Sequence, residues 1–335
     1  MSDLLQVAKL AGVSRATAAR AFSAPDLVRE ETRNKVFAAS EQLGFRPNHI
    51  ARQLRTQSTR IIGVLLPSLH NPIFAAQLQA MEQLAQQHGY SLLVATSNYQ
   101  PQREAEIVEN MLRQRVDGLV LTVADADNSA VLLDLQREAI PLVLVHNSPQ
   151  RVTIPAIRVD NRLAVMQATE VLLSLGHRHI GMIAGPMLQS DRARQRYQGY
   201  CDAMTQAGLL PADVVEMPSH IHSDLTTLLP HLIGPRAFTA LLCTNDLLAL
   251  SVTGELMRSG YHIPRQLSVI GFDGIEMGRM QFPSLSSVVQ PLEEMGRQAI
   301  AHLLAQIAGE TPQAGYLAHQ FRHGESIAPP PVATF

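Results

Sequence analysis

Apolar positions in the first 45 residues recur at helical spacing, and from residue 61 onward short β-branched runs alternate with helical stretches. Leu4, Val7, Ala8 and Ala11 form an i, i+3, i+4, i+7 stripe that predicts a helix over residues 4–11. Gly12 ends it, because glycine tolerates the positive φ of a helix C-terminus. Ser14 caps a second helix through residue 22, and Ser23-Ala24-Pro25 breaks it. Residues 29–43 read as a third helix, with Val36, Ala39, Ser40 and Leu43 on one side and Gly44 as the stop. Pro47 and Asn48 open a short basic stretch, and residues 56–59 read as a polar connector.

In the remainder, strands are expected at 61–66, 91–96, 118–122, 142–145, 180–184, 239–243 and 268–272, with helical stretches between them such as 74–88 and 163–175. This βαβ rhythm predicts parallel sheets covered by helices on both faces. It restarts near Ile157, so two similar α/β lobes with a cleft between them are expected. Ligands in such folds sit at the carboxyl ends of the strands. The domains are therefore read as a helix-turn-helix headpiece at 1–45, a hinge and linker at 46–60, and a larger domain at 61–335. Its first lobe covers about 61–157 and 288–322, and its second about 158–287. The tail from Gly324, with Pro329, Pro330 and Pro331, is expected to be loose.

Charge is divided unequally over this layout. Residues 1–60 hold ten Lys or Arg against five acids, a net of +5, whereas the remainder carries a net of −7. A basic end on an acidic body suits a protein that sets one end on a polyanion. Cys201 and Cys243 have no CxxC spacing, which argues against a disulfide scaffold or a cysteine-held zinc. No apolar run approaches the ~20 residues that span a bilayer. The first ten residues include Asp3, Gln6 and Lys9 rather than a signal peptide's apolar run. A soluble, cytoplasmic protein with no membrane partner is expected.

The most specific signal is Gln6-Val7-Ala8-Lys9-Leu10-Ala11-Gly12-Val13-Ser14-Arg15-Ala16-Thr17-Ala18-Ala19-Arg20. Ala8 is small where two helices must cross, Gly12 sits in the turn, and Val13 and Ala18 pack it. The second helix then presents Ser14, Arg15, Ala16 and Thr17 at a terminus whose free N–H groups suit phosphate and whose side chains reach base edges. Arg15 can contact guanine bidentately, and Ala16 offers an apolar touch on a thymine methyl.

This stretch resembles the headpiece of the lactose-repressor/galactose-repressor family of bacterial transcription regulators, and the resemblance runs essentially end to end. Gln6 stands where the family usually has an acid, and Ala19 where it has a serine. The resemblance implies that Arg15 and Ala16 set operator specificity, with Leu4, Ser14, Thr17 and Arg20 beside them and Thr32 touching phosphate. Pro47-Asn48-His49-Ile50-Ala51-Arg52-Gln53-Leu54 matches the family's hinge. In the family this hinge folds on operator DNA, so Asn48 and Ala51 would belong to it and Leu54 would wedge into a minor-groove step.

The larger domain resembles the periplasmic sugar-binding fold of the same family. Its signatures are residues 66–74, Val116-Asp117-Gly118-Leu119-Val120, Leu175-Gly176-His177-Arg178-His179-Ile180, Thr244-Asn245-Asp246, Gly271-Phe272-Asp273 and Gln290-Pro291. By position, the effector contacts are expected at Arg196, Asn245, Asp273 and Gln290, with Ser68, Asn71, Phe74, His146 and Asp160 as further lining. The amides and the acid can donate to and accept from hydroxyls, Arg196 can clamp a carboxylate or phosphate, and Phe74 can cover an apolar sugar face. His146 departs from the acid or small polar residue common there and points to an anionic or phosphorylated ligand; a packed histidine is the alternative. Of Arg192, Arg194 and Arg196, Arg196 is assigned to the pocket and the others mostly to solvent. His177 and His179 suit helix capping, so no metal and no cofactor are expected.

No G-x-S-x-G elbow, G-x-x-x-x-G-K-[ST] loop or G-x-G-x-x-G after a strand occurs, so no enzyme is expected. The resemblance implies a homodimer on double-stranded palindromic operator DNA, with lobe one, especially residues 73–87, at the interface. It also implies a small-molecule effector: a sugar, sugar acid or sugar phosphate. No leucine-heptad tail for a tetramer is present. Replacing Leu54 with Ala is expected to weaken specific operator binding far more than non-specific binding in a competition gel-shift. Equal losses would reject the wedge.

Overall fold

The computed structural model describes residues 3–45, 58–151, 153–313 and 315–331. The hinge positions Asn48, Ala51 and Leu54 lie outside the described residues. The chain divides into two compact units, Met1–Thr59 and Arg60–Phe335.

The first unit contains helices α1 (Leu4–Leu10), α2 (Arg15–Ser23) and α3 (Glu30–Gln42), each packed on the other two. Val7, Ala8, Ala18, Ala21, Val36 and Ala39 are its buried core, and the Phe22 ring meets Phe37 and Phe45. Small residues dominate because three short helices must approach closely. Gly12, at φ +66°, lets the Val13 amide turn back onto the Ala8 carbonyl and redirects the chain into α2. Gln6, unusual for the headpiece pattern, completes a capping box with Asp3: its side chain accepts from the Asp3 amide while Asp3 accepts from its own.

The larger unit contains two sheets in two lobes. The first is ordered β11-β5-β4-β3-β1-β2, from strands β1 (Ile61–Leu66), β2 (Ser91–Thr96), β3 (Gly118–Leu121), β4 (Leu142–Val145), β5 (Ala156–Val159) and β11 (Tyr316–Leu317). The second is ordered β12-β10-β9-β8-β6-β7, from β6 (Ile180–Ala184), β7 (Val215–Glu216), β8 (Ala240–Cys243), β9 (Ser268–Asp273), β10 (Ser286–Val289) and β12 (Gln320–Arg322). All pairings are parallel except β10 with β12, an antiparallel edge. Continuous apolar runs such as Ile61-Ile62-Gly63-Val64-Leu65-Leu66 are what a strand buried on both faces requires.

Helices cover both faces of each sheet. In lobe one, α4 (Pro72–Gln87) and α12 (Leu292–Ile307) pack on one face, with α5 (Pro101–Arg113) and α6 (Ala130–Arg137) on the other. In lobe two, α7 (Asn161–Ser174) and α8 (Asp191–Gln206) pack on one face and α10 (Asp246–Arg258) on the other. One-turn helices α9 (Leu225–Leu228) and α11 (Met277–Met280) complete the set.

The chain passes between the lobes three times: after β5, after β10, and between β11 and β12. The sequence pattern alone places 288–322 wholly in lobe one. Val288 and Val289 belong instead to β10, and residues 320–322 to β12, both in the second sheet. The strand order reverses between β1 and β3 in one lobe and between β6 and β8 in the other. Doubly wound sheets bind ligands at such reversals, so both crevices open toward one cleft.

The tail is not loose over its described part. Ser326 is fully buried; its hydroxyl donates to the Val269 carbonyl (2.6 Å) and accepts from the Ser286 amide (2.8 Å). Nor does the His177 side chain cap a helix: its Nδ1 pairs with the Thr239 hydroxyl and its Nε2 with the Ala328 carbonyl, both at 2.8 Å. Burial makes these bonds obligatory, and a histidine has a nitrogen on each side to supply both. His177→Ala should lower stability by about 1–3 kcal/mol in urea unfolding, since it empties a buried site and removes two hydrogen bonds that tie the tail to the sheet. The exposed His179→Ala should move it by less than about 0.5 kcal/mol. Equal midpoints for the two variants would show that the tail clamp carries no stability.

Candidate functional site

Two surfaces carry chemistry, one in each unit. In the first, Ser14 caps α2: its hydroxyl accepts from the Thr17 amide at 3.0 Å and lies 2.9 Å from the Thr17 hydroxyl. Ser14, Arg15, Ala16 and Arg20 are exposed and Thr17 is half-buried, so the start of α2 projects side chains that the core does not use. Leu4 is half-buried and packs against the headpiece core, while Thr32 is half-buried in the first turn of α3.

In the second unit, a narrow cavity between the lobes is lined by Asn71, Ile73, Phe74, Tyr99, His146, Ser190, Arg192, Ala193, Arg196, His220, Thr244, Asn245 and Asp273. Nearly all of them sit just beyond strand ends or on helix first turns, as the strand order requires. At its centre the Asp273 carboxylate is 1% exposed. It accepts from Asn71 Nδ2 at 3.2 Å and from Gln290 Nε2 at 2.8 Å, and Arg196 Nη1 lies 3.9 Å away. Burial raises its carboxyl above the ordinary value, and Arg196 with the two amides opposes the shift. Behind it, burial and the Asp273 charge push Asp246 up to about 7, against hydrogen bonds from Ser287 and the Ile275 amide.

The positions named from sequence are distributed unevenly. Asn71, Phe74, His146, Arg196, Asn245 and Asp273 share the cavity, with Gln290 bonded to Asp273 at its edge. Asn71 and Asn245 also cap α4 and α10. Ser68 lines a wider outer chamber that shares Asn71, Tyr99 and His220 with the first. Asp160 stands apart: its carboxylate caps α7 by accepting from the Leu163 amide, beside Arg162 and Asp202 on another face.

The arginines differ from the sequence expectation. Arg192 is buried and lines the cavity with Arg196, because positions i and i+4 share a helix face. Arg194 points to a different flank and pairs with Asp125 of lobe one at 2.6 Å. The first turn of α8 is in fact a cross-lobe contact: Arg192 Nη1 donates to the Val123 carbonyl at 2.8 Å, and Asp191 accepts from Asn147 and the Ala126 amide.

Tyr99 and His220 also line the cavity, with no motif in the sequence to mark them. Their rings lie 4.1 Å apart across the cleft. Gly185 is what admits His220, since a Cβ there would come within 2.6 Å of its backbone. Both lie in loops, where periodicity is silent; only their nearness to the ends of β2 and β7 marks them. His146, at φ +69°, meets the Phe74 ring edge-on at 5.8 Å. Burial, then Arg192 and Arg196, hold its imidazole down at about 3, with neighbouring Gln290 easing the shift. Burial and Arg192 hold His220 at about 4.

A helix-turn-helix unit joined to a two-lobed α/β domain with a polar cleft is the build of a ligand-sensing DNA-binding regulator. Comparison with known proteins agrees. Residues 3–48 match the family described as bacterial regulatory proteins, lacI family, and residues 59–327 match the periplasmic binding proteins and sugar binding domain of the LacI family. The chain belongs to the lacI family of bacterial regulatory proteins. It is 34% identical over 327 residues to the HTH-type transcriptional regulator GntR of Escherichia coli (strain K12), covering 97% of this chain and 98% of that one. It is 30% identical to the ribose operon repressor of Haemophilus influenzae, covering 94% of each. The Lac repressor dimer bound to operator and the anti-inducer ONPF superposes with a TM-score of 0.88 at 27% identity, covering 98% and 99% of the two chains. Among the described residues no helix is long and apolar enough to cross a membrane.

The two depressed histidines of the cavity, His146 and His220, make stability fall as pH drops. Each binds a proton in the unfolded chain below about 6.5 and in the folded one only near 3–4, so stabilisation present above 6.5 is lost through that window. Asp246 acts in the opposite sense below about 7. In urea unfolding between pH 6 and 4.5, His146→Gln should therefore flatten the pH slope by about 1.4 kcal/mol per pH unit. An unchanged slope would reject a buried neutral His146.

Proposed function

We propose that this protein is a transcriptional repressor that reads a palindromic operator as a homodimer. A small polyhydroxylated effector in the interlobe cavity controls it: a sugar, sugar acid or sugar phosphate. The observation that carries this reading is the pairing, in one chain, of the exposed Arg15–Ala16–Arg20 face of a capped helix with a buried cavity whose wall offers both donors and acceptors. A single headpiece reads one half-site, so a two-fold dimer reads a palindrome. The operator-bound dimer of the Lac repressor, the cellobiose complex of the regulator CelR (TM-score 0.69, 26% identity) and the name of the ribose operon repressor support the three parts of this reading.

The chemistry is binding rather than turnover. Asp273 and the amides around it offer acceptors and donors to hydroxyls. The protein would act in the cytoplasm, where its operator lies. Effector shifts operator affinity only as far as it binds the DNA-competent and DNA-incompetent arrangements of the lobes unequally.

Selection from random duplexes should recover a palindrome bound in a strongly salt-dependent way. Arg15→Ala should cost about 1–3 kcal/mol at that site and relax one base pair in each half-site. Recovery of no sequence preference by the purified protein would overturn the regulator reading.

A further inference from the structure

We propose, resting on that reading, that the effector carries a single carboxylate on a hydroxylated carbon chain, and that Arg192 rather than Arg196 selects for it. Sequence position nominated Arg196 as the clamp, but the structure commits that side chain elsewhere. Its Nε donates to Asn161 Oδ1 at 2.7 Å, its Nη1 donates to the Thr244 carbonyl, and its guanidinium lies 3.6 Å over the Phe272 ring. Its charge is answered by Asp273. Arg196 is a wall of the cavity, held in place from behind.

Arg192 is differently placed. Only its Nη1 is engaged, by the Val123 carbonyl and by Asp191 at 3.1 Å. Among the described residues no hydrogen bond uses its Nε or Nη2, although the residue is 6% exposed and lines the cavity. Its partner carboxylate is shared: Asp191 also accepts from Asn147 Nδ2 at 2.8 Å and from the Ala126 amide at 3.2 Å. A buried guanidinium edge with two unused donors is suited to a carboxylate, which takes both in parallel and forms stronger bonds than a hydroxyl.

The two guanidiniums differ in how their charge is met. Arg196 faces Asp273, whereas Arg192 has a carboxylate, Asp191, that it shares with Asn147 and the Ala126 amide. A planar monoanionic carboxylate matches the free Arg192 edge; a dianionic phosphate brings more charge than that edge faces, and a neutral hydroxyl binds it more weakly. The hydroxylated chain follows from other atoms: His220 Nε2 in the cavity is buried without a hydrogen-bond partner, and His146 Nε2 and Gln290 Oε1, which interact only loosely with each other at its edge, make no close hydrogen bond. Together they offer donors and acceptors of the kind hydroxyls satisfy. A sugar acid meets both halves of the site.

The test uses the full-length protein in isothermal titration calorimetry. The probes are stereochemically matched sets of neutral aldohexoses, their aldonic and uronic acids, and their 6-phosphates. At least one acid should bind tenfold or more tightly than its parent aldose and its phosphate. Arg192→Gln should remove at least tenfold from the acid's affinity and little from the aldose's. Arg192→Lys, which keeps the charge but not the fork, should retain a smaller preference. Asp191→Asn, which loosens the cross-lobe contact but frees the guanidinium, should keep or increase it.

An aldose or phosphate that binds as tightly as every acid overturns the proposal, as does the absence of binding by any acid. So does a parallel loss for all ligands in Arg192→Gln and Asp191→Asn, which would make Arg192 a structural tie alone. Duplex selection separates the two levels: if the protein reads a palindrome and a neutral sugar shifts that binding, the regulator stands and this proposal falls.

Discussion

Asp273 sets a carboxylate at the end of a central strand, in a seam between two lobes that water scarcely reaches. An isolated charge there would cost several kcal/mol, so its surroundings must be donors. Asn71 comes from lobe one, Arg196 from a helix of lobe two and Gln290 from the crossover between them. Satisfying one charge therefore joins three segments distant in sequence. It also fixes their spacing, since a carboxylate accepts only within hydrogen-bond reach. The cavity is the space these donors leave, and the strained backbone at Asp273, φ +119°, is the local cost of pointing the acid into it.

The two recognition surfaces work in opposite dielectric regimes. On α2 the reading groups are solvent-exposed, so their attraction for a polyanion is screened within about 10 Å at ordinary salt. In the cleft the same kind of group, an arginine, is nearly sealed, where burial, reinforced by the arginine field, keeps two histidines neutral. The first surface gains from many weak, long-range contacts, and the second from a few short, directed ones.

Much of this was legible in the sequence, for identifiable reasons. Strands β1, β3, β4, β6, β8 and β9 announce themselves because burial on both faces demands unbroken apolar runs; β2, at the sheet edge, shows a run at Leu92-Leu93-Val94 while only partly buried. Strand β10 does not: Ser286-Ser287-Val288-Val289 is half hydroxyl, and its serines serve the tail and Asp246 rather than an apolar core. Strands β7, β11 and β12, of two or three residues, are too short for any period to show. The pocket was legible where motifs end strands, at Asn71, Asn245 and Asp273. It is not legible at Asp160, whose side chain serves its own helix, nor at Arg192, which shares a helix face with Arg196 four positions on. Tyr99 and His220 lie in loops that meet only in three dimensions.

The three passages between lobes have a consequence for biosynthesis. As the chain emerges from the ribosome, lobe one is incomplete after β5, because α12 and β11 are still to come. Lobe two is in turn incomplete until β12 and the Ser326 clamp have been made. The headpiece has all three of its helices within the first 45 residues and can fold at once, as domains generally do in order of synthesis. The reading head is thus ready early, whereas the sensing domain closes only when residues 316–326 appear. Translation itself sets an interval in which a nascent chain has its DNA-reading helices but no finished sensor to control them.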